Sequence, residues 1–591
     1  MKERSEIEEK YKWDLTRFFA DDKAFFDYLD GLSKEIDKVK TYEGKLSNDD
    51  VLFEYLEYQT DLMRKVEKGC YAFLRQCEDG SSRIANEMTE KRSIVLTKLE
   101  KALTAVDIEI DKFSIAKLKR LKDEKRFANY KRFFETTIRH KKHTLSKSEE
   151  LLLSSMGEFM GGYSDNFDKF SDVDLKFDAI EDKNGKKHEF SHSKYSIYTC
   201  SNDRTLRKNA FKEMNGKYGE YINFLASNYI NEVKENCVLA KVKKYKSALD
   251  CAIYCEEASE DVYNMLIKKV RENVGVQAEY FEIKRKMLGL DKFAIYDTFA
   301  PIENEKEEKK YTYDEAIELI KEAVSVLGDE YVSLIDKAKN ERWIDVYPNK
   351  NKYSGAFCGG CGDTPVVLTN FEGNLESVFT LAHELGHAMH TYYSNKHQPF
   401  QTEDYVIYVA EVASTTNEML LLNLLLKKAK TAKERISLYD KFLREVRSCI
   451  FRQTMFAEFE EFAHSEYEKE NPLTADLLCD EYKKLNDFYH GEKVEQIPEM
   501  KYEWARIPHF YTAFYVYKYA TGLICAIKIS SQLLKDKKFA EKYLKFLSSG
   551  CSADPISLLK IADCDLTKEE TFDEAFETCK EFIRKWESEI K

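Results

Sequence analysis

Apolar residues recur at three- and four-residue spacing through long stretches of this chain, and very little interrupts them. "DVLFEYLEYQTDLMRKVEKGCYAFLRQC" (50–77) and "SIVLTKLEKALTAVDIEID" (93–111) show the pattern. That spacing puts apolar side chains on one face of an α-helix. Proline, the residue that best terminates a helix, occurs only 8 times in 591 residues. The chain is therefore expected to be mainly α. Hydrophobic residues at 43% and charged residues at 34% suit many amphipathic helices around a large core. The length suggests more than one such core.

The pattern changes at "VDLKFDAIEDKNGKKHEFS" (173–191). Apolar residues nearly alternate on either side of Lys183-Asn184-Gly185, which predicts a β-hairpin with an Asn-Gly turn. A domain boundary is expected just after it, giving an N-terminal helical domain over 1–192 and a second domain over 193–591. "IENEKEEKKYTYDE" (302–315) reads as a short charged linker opening a helix. "SGAFCGGCGDTPVVLTNFEGN" (354–374) is Gly-rich, then strand-like from Val366 to Phe371. A helix follows, with Asn374 as N-cap and Glu376 in its first turn. Pro399 punctuates the chain after it, and Thr402 is a candidate cap for the next helix.

Net charge is −13 with no basic stripe, so no nucleic-acid partner is expected. "MKERSEIEEKYKWDL" lacks the apolar region of a signal peptide. No run of 18 apolar residues exists, so no membrane span is expected. The 14 cysteines are scattered, which fits cytoplasmic thiols better than a disulfide framework. Cys358 and Cys361 form one C-x-x-C with no second pair to complete a four-thiolate site.

"TLAHELGHAMHTYY" (380–393) carries the chemistry. His383 and His387 are four apart, so their imidazoles project from one helix face and can reach one cation. Glu384 sits at the neighbouring edge of that face, where it can take a proton from an attacking water. A catalytic zinc needs a third protein ligand. His390 lies on the same face, but His383 to His390 spans about 10 Å of helix, too far for one ion. A carboxylate on the next helix is the better candidate. In "YVAEVASTTNEML" Glu411 closes a His-His-Glu set, leaving Glu418 and His390 to orient ligands by hydrogen bonds.

"FTLAHELGHAMH" followed by "AEVASTTNEML" closely resembles the M3 family of zinc metallopeptidases, in its oligoendopeptidase F branch. "KYKWDLTRFF" (10–19), "SGAFCGGCGDTPVVLTNF", "IPHFYTAFYVYKYATG" (507–522) and "YLKFLSSGCSADPISLLKIADCDL" (543–566) extend the resemblance over nearly the whole chain. It implies a mainly α, two-lobed metallopeptidase with a deep cleft and a small β-sheet beside a thermolysin-like zinc core. It also implies one Zn2+ per chain held by His383, His387 and Glu411, with Glu384 as base. His509 is carried over as a residue facing the zinc, with Tyr515 and Tyr519 favoured as oxyanion donors over Tyr511 and Tyr517. The chain departs from the branch at Cys358 and Cys361, where relatives more often have small polar residues.

The expected activity is hydrolysis of internal bonds in short unstructured peptides, by a monomer or weak homo-oligomer in the cytoplasm. Strand 366–371 is read as an exposed edge that pairs with the substrate backbone through Val367, Leu368, Thr369 and Asn370. Gly355, Gly359, Gly360 and Gly362 would let the preceding loop close over the substrate. A metallocarboxypeptidase of similar helical fold, a non-catalytic peptide-binding protein and a thiol-disulfide protein using Cys358 and Cys361 are the competing readings.

Overall fold

Local caps start the helices where the sequence places them. In the computed structural model, which describes residues 2–157, 160–302, 309–361 and 364–590, the Asn48 side chain accepts from the amides of Asp50 and Val51. This opens the helix Asp49–Glu67, labelled α2 here. It packs with α1 (Asp22–Ile36), which also packs on α4 (Arg83–Asp107), and α4 in turn packs on α3 (Cys70–Glu78). Their apolar faces meet in a core that includes Phe25, Leu29, Leu52, Leu56, Leu74, Met88 and Leu99. Helices dominate the chain, and seven short strands occur among the described residues. No helix is long and apolar enough to cross a membrane.

The predicted hairpin forms. β1 (Ile180–Glu181) pairs antiparallel with β2 (Lys187–His188). The turn places Gly185 at φ +75°, which glycine adopts without strain. Residues 303–308 of the expected charged linker, and Gly362, lie outside the described residues. Thr312 caps the helix after the linker through the Glu315 amide.

Two compact units emerge, each discontinuous in sequence. The first comprises Met1–Lys142, Glu308–Leu424 and Ile529–Cys564. The second comprises His143–Glu307, Leu425–Lys528 and Asp565–Lys591. They do not coincide with the division at 192/193 read from the sequence. That division rested on a change of periodicity, which reports local structure and not which remote segments share a core.

The second unit holds the hairpin and the parallel pair β3 (Phe293–Ala294) and β7 (Val494–Glu495). The first unit contains a three-stranded sheet of β4 (Ile344–Asp345), β5 (Phe357–Cys361) and β6 (Thr364–Leu368). Its order is β4-β6-β5, with β6 parallel to β4 and antiparallel to β5. Val366 and Leu368 of β6 join the core of α1–α4. Helix α5 (Leu375–His397) follows the sheet, then a short helix Phe400–Glu403, then α6 (Ile407–Lys428). Thr402 does not cap α6. It is buried inside the short helix, with its hydroxyl donating to Gln398 and Pro399.

Candidate active site

Asn374 starts α5 as expected. Its Oδ1 accepts from the Ser377 amide at 2.8 Å and the Ser377 hydroxyl at 2.7 Å. The helix then carries His383, Glu384 and His387 past α6. The crossing is tight at Gly386. A Cβ there would lie 2.6 Å from Ser414 Cα and 2.8 Å from Ala413 O. Only glycine lets the two backbones approach this closely. Asn417 of α6 reinforces the contact, donating from Nδ2 to Ala382 O at 3.2 Å. It is held in turn by the Tyr331 hydroxyl.

The crossing sets Glu411 opposite the two histidines. Glu411 Oε2 is 3.4 Å from His383 Nε2 and 3.8 Å from His387 Nε2. Among the described residues these three are the one His/Cys/Asp/Glu group able to share an ion, with ligand atoms within 4.8 Å of one another. Tetrahedral ligands at zinc-ligand distances of about 2.0–2.1 Å stand roughly 3.3 Å apart, so the donor set fits a zinc-sized cation. The second coordination layer fits too. His383 Nδ1 donates to Glu418 Oε1 at 2.6 Å, which turns its Nε2 toward Glu411. The Ser414 hydroxyl donates to Glu411 Oε2 at 3.1 Å.

Electrostatics separate the roles. Burial works against a charged His383, but hydrogen bonds to Glu411 and Glu418 overcome it and raise its pKa to about 10. Burial likewise opposes charge on Glu411, yet the bond from His383 wins and holds its carboxyl down to about 2. Burial, then the neighbouring His383 charge, lowers His387 to about 4. Glu384 is 6% exposed, and burial pushes it up to about 7. The Cys358 backbone amide donates to its carboxylate and opposes that rise. A carboxyl poised near neutrality can both take and return a proton.

Cys358 belongs to β5, so this bond also places β5 beside Glu384. It corrects the substrate-edge expectation. β6 is the middle strand, paired on both sides, and Val367, Leu368 and Thr369 are buried. Thr369 donates its amide to Asp345 O and its hydroxyl to Val346 O. Asn370 spends its amide on Tyr353 O and Gly355 O, both at 2.9 Å, so it pins the loop before β5. Gly355 packs against the Tyr353 ring. β5 is one of the two edge strands, with Gly359 and Gly360 near its centre. Cys358 carries a free thiol.

His390 also departs from expectation. It is 1% exposed, its ring stacks on Tyr405 at 3.6 Å, and its Nδ1 has no hydrogen-bond partner. Tyr405 is the group that touches the motif, donating from its hydroxyl to His387 O at 3.3 Å. His390 thus supports the ligand helix by packing, not by orienting a ligand. Glu418 does orient one.

In the second unit His509, Tyr515 and Tyr519 form a cluster. The Tyr519 hydroxyl lies 3.5 Å from His509 Nε2, and Tyr515 packs edge-on to Tyr519 at 5.5 Å. The other two tyrosines of that stretch are spent on structure. Tyr511 packs on Phe167 and accepts from Asn228, and Tyr517 packs on Tyr263 and donates to Glu256. Sequence reasoning missed Gly386, Asn417 and Tyr405. A glycine inside an otherwise regular helix was the available signal for Gly386. Nothing in the spacing marks the other two.

A family model described as Peptidase family M3 matches residues 197–578. The chain belongs to peptidase family M3. A second model, described as Oligopeptidase F, matches residues 109–177 of this M3 peptidase. Oligopeptidase PepF of Bacillus subtilis (strain 168) is 36% identical over 588 residues, 99% of this chain and 87% of that protein. The group B oligopeptidase PepB of Streptococcus agalactiae serotype III (strain NEM316) is 34% identical over 98% of this chain and 97% of its own. A solved structure from Chlamydophila abortus matches with a TM-score of 0.94 at 34% identity over the whole of both chains. That of oligoendopeptidase-F from Enterococcus faecium matches at 0.74 and 29% identity, covering 96% of this chain and 99% of the other. The resemblance read from the motifs is borne out, and the chain is a metalloendopeptidase.

Proposed function

We propose that this M3 peptidase is zinc-dependent and hydrolyses internal bonds of short, unstructured peptides, with Glu384 as general base. The observation that carries the reading is the convergence of His383, His387 and Glu411 beside the buried Glu384 carboxyl. The names of its relatives, oligopeptidases and oligoendopeptidases, support the substrate class.

His383 Nε2, His387 Nε2 and a Glu411 oxygen would hold the ion. When bound, zinc polarises the scissile carbonyl and lowers the pKa of water toward 7. The Glu384 carboxylate takes the proton of the attacking water and returns it to the leaving amine nitrogen. The Cys358 amide steadies that carboxylate, and the Glu418 oxygen fixes His383 in the tautomer that leaves Nε2 free. The outer edge of β5 is the surface for an extended peptide backbone, which gives binding with little dependence on side chains. For His509, Tyr515 and Tyr519 as oxyanion donors the support is the family resemblance and their mutual clustering.

A short internally quenched peptide with both ends blocked tests the reading. Wild type should cut it internally. A chelator should abolish cutting, and Glu384→Gln should lower kcat by about 10²- to 10⁴-fold. Failure of the zinc-loaded wild type on blocked peptides, with cleavage of the same peptides carrying a free C-terminus, would make the protein a carboxypeptidase instead.

A further inference from the structure

The second unit buries more guanidinium than carboxylate in one place. Glu503, 2% exposed, accepts from Arg452 at 2.8 and 3.2 Å, from Arg506 at 2.8 Å and from the Tyr482 hydroxyl at 2.7 Å. Its two oxygens are fully used. Arg447, 5% exposed, stands next to this cluster within the field of Glu503 but in no ion pair with a carboxylate among the described residues. Its Nη2 donates to Thr298 Oγ1 at 3.2 Å, and its Nε has no hydrogen-bond partner. Its guanidinium also lies over the face of the Phe299 ring, 4.4 Å from the centroid. The other buried carboxylate nearby, Asp440, is taken by Arg444, Lys284 and the Tyr280 hydroxyl.

An internal cavity lies against Arg447 and Arg452, closed by Gln277, Tyr489 and His490. Its free space is about 10 Å³ for the centre of a water-sized occupant, which is room for one small particle. No carboxylate lines it. The Gln277 amide is committed to Tyr489 O, and His490 Nδ1 to Asn486 O. The cavity thus has two guanidinium groups on its wall, one of them without an ion pair of its own among the described residues. A buried cation without a counter-charge is strongly destabilising, and an occupant that is only a dipole leaves most of that cost in place. The size of the cavity rejects sulfate, phosphate and carboxylates.

We propose that this cavity is a binding site for one small monovalent anion of the halide class, chloride in a cell, held by Arg447 and Arg452. The site is independent of the peptidase reading, because none of its residues belongs to the candidate active site. Bromide is the probe. Crystals of the full-length chain grown in sodium bromide should show a bromine anomalous peak in the cavity beside Arg447. Thermal unfolding in sodium chloride or bromide should come about 1–3 °C above that in sodium gluconate at equal ionic strength. Arg447→Gln should erase that difference. A cavity without the anomalous peak overturns the proposal, and so does a halide shift that persists in Arg447→Gln. If the variant fails to fold, the wild-type bromide map decides alone.

Discussion

Gly386 is the residue on which the ligand set depends without touching an ion. The methyl of Gly386→Ala has nowhere to go, since Ser414 Cα and Ala413 O lie within 2.8 Å of it. Helix α6 must move, and Glu411 rides on it three residues before Ser414. Overpacking of this kind costs about 1–3 kcal/mol, so zinc affinity should fall roughly tenfold or more while Glu384 stays intact. Zinc titration of the folded variant checks this, and unchanged affinity would show that the crossing tolerates a side chain. His383 gives the pH dependence. Its pKa is raised to about 10 in the metal-free chain by Glu411 and Glu418. Between its ordinary value of about 6.5 and 10, the site therefore holds a proton that zinc must displace. Apparent zinc affinity should rise as pH climbs from 6.5 toward 10, and calorimetry in buffers of different ionisation enthalpy should show about one proton released per zinc near pH 7. No proton release would mean that Glu418 and Glu411 do not hold His383 charged. At this scale the sequence was a good guide, because i,i+4 spacing fixes the face of His383 and His387 whatever the surroundings. It was a poor guide to His390, whose spacing gives its direction but cannot announce that Tyr405 stacks on it.

Among elements, the sheet beside α5 shows what periodicity leaves open. The strand around Val367 was legible from its run of β-branched residues after a Gly-rich loop. Its position in the sheet was not, because edge and middle differ only in partners, and the partner β4 is two residues long. A run as apolar as Val366–Leu368 fits a strand buried on both faces, which was the physical hint against an edge. The consequence is testable. Val367→Ala should lower stability by roughly 1–3 kcal/mol by leaving a cavity in the core, with KM for a blocked peptide essentially unchanged. A large rise in KM without loss of stability would return the strand to the substrate. The Asn-Gly hairpin and the Asn374 cap were read correctly for the opposite reason: both are closed within a few residues, so no distant segment decides them.

At the scale of the whole molecule, the first unit is assembled from three separated segments, and the candidate metal ligands lie in the middle one. The N-terminal segment does more than precede it. Arg4 donates to Asp345, which is 1% exposed, at 2.6 Å and to Glu78 at 2.6 Å. The amides of Val346 and Asp14 pair with Tyr11 O and Arg342 O, so the first residues of the chain run alongside β4. Val366 and Leu368, at the end of the strand from which the chain runs into α5, are packed by α1–α4. None of this is periodic, and pairing between residues more than 300 apart leaves no local trace, which is why a boundary at 192/193 looked natural. A chain of residues 193–591 contains His383, Glu384, His387 and Glu411 and the whole of the M3 match, so motif content alone would predict a working metal site. The packing predicts the reverse. Removing residues 1–192 exposes the core face of β6 and deletes Arg4, which leaves Lys352, 2.7 Å away, as the one remaining ion-pair partner of buried Asp345 among the described residues. The fragment should lack stoichiometric zinc and should not unfold cooperatively by circular dichroism, whereas the full chain should bind one zinc and melt cooperatively. Stoichiometric zinc with a cooperative melt in the fragment would establish residues 193–591 as an autonomous domain and make the N-terminal segment an accessory to it.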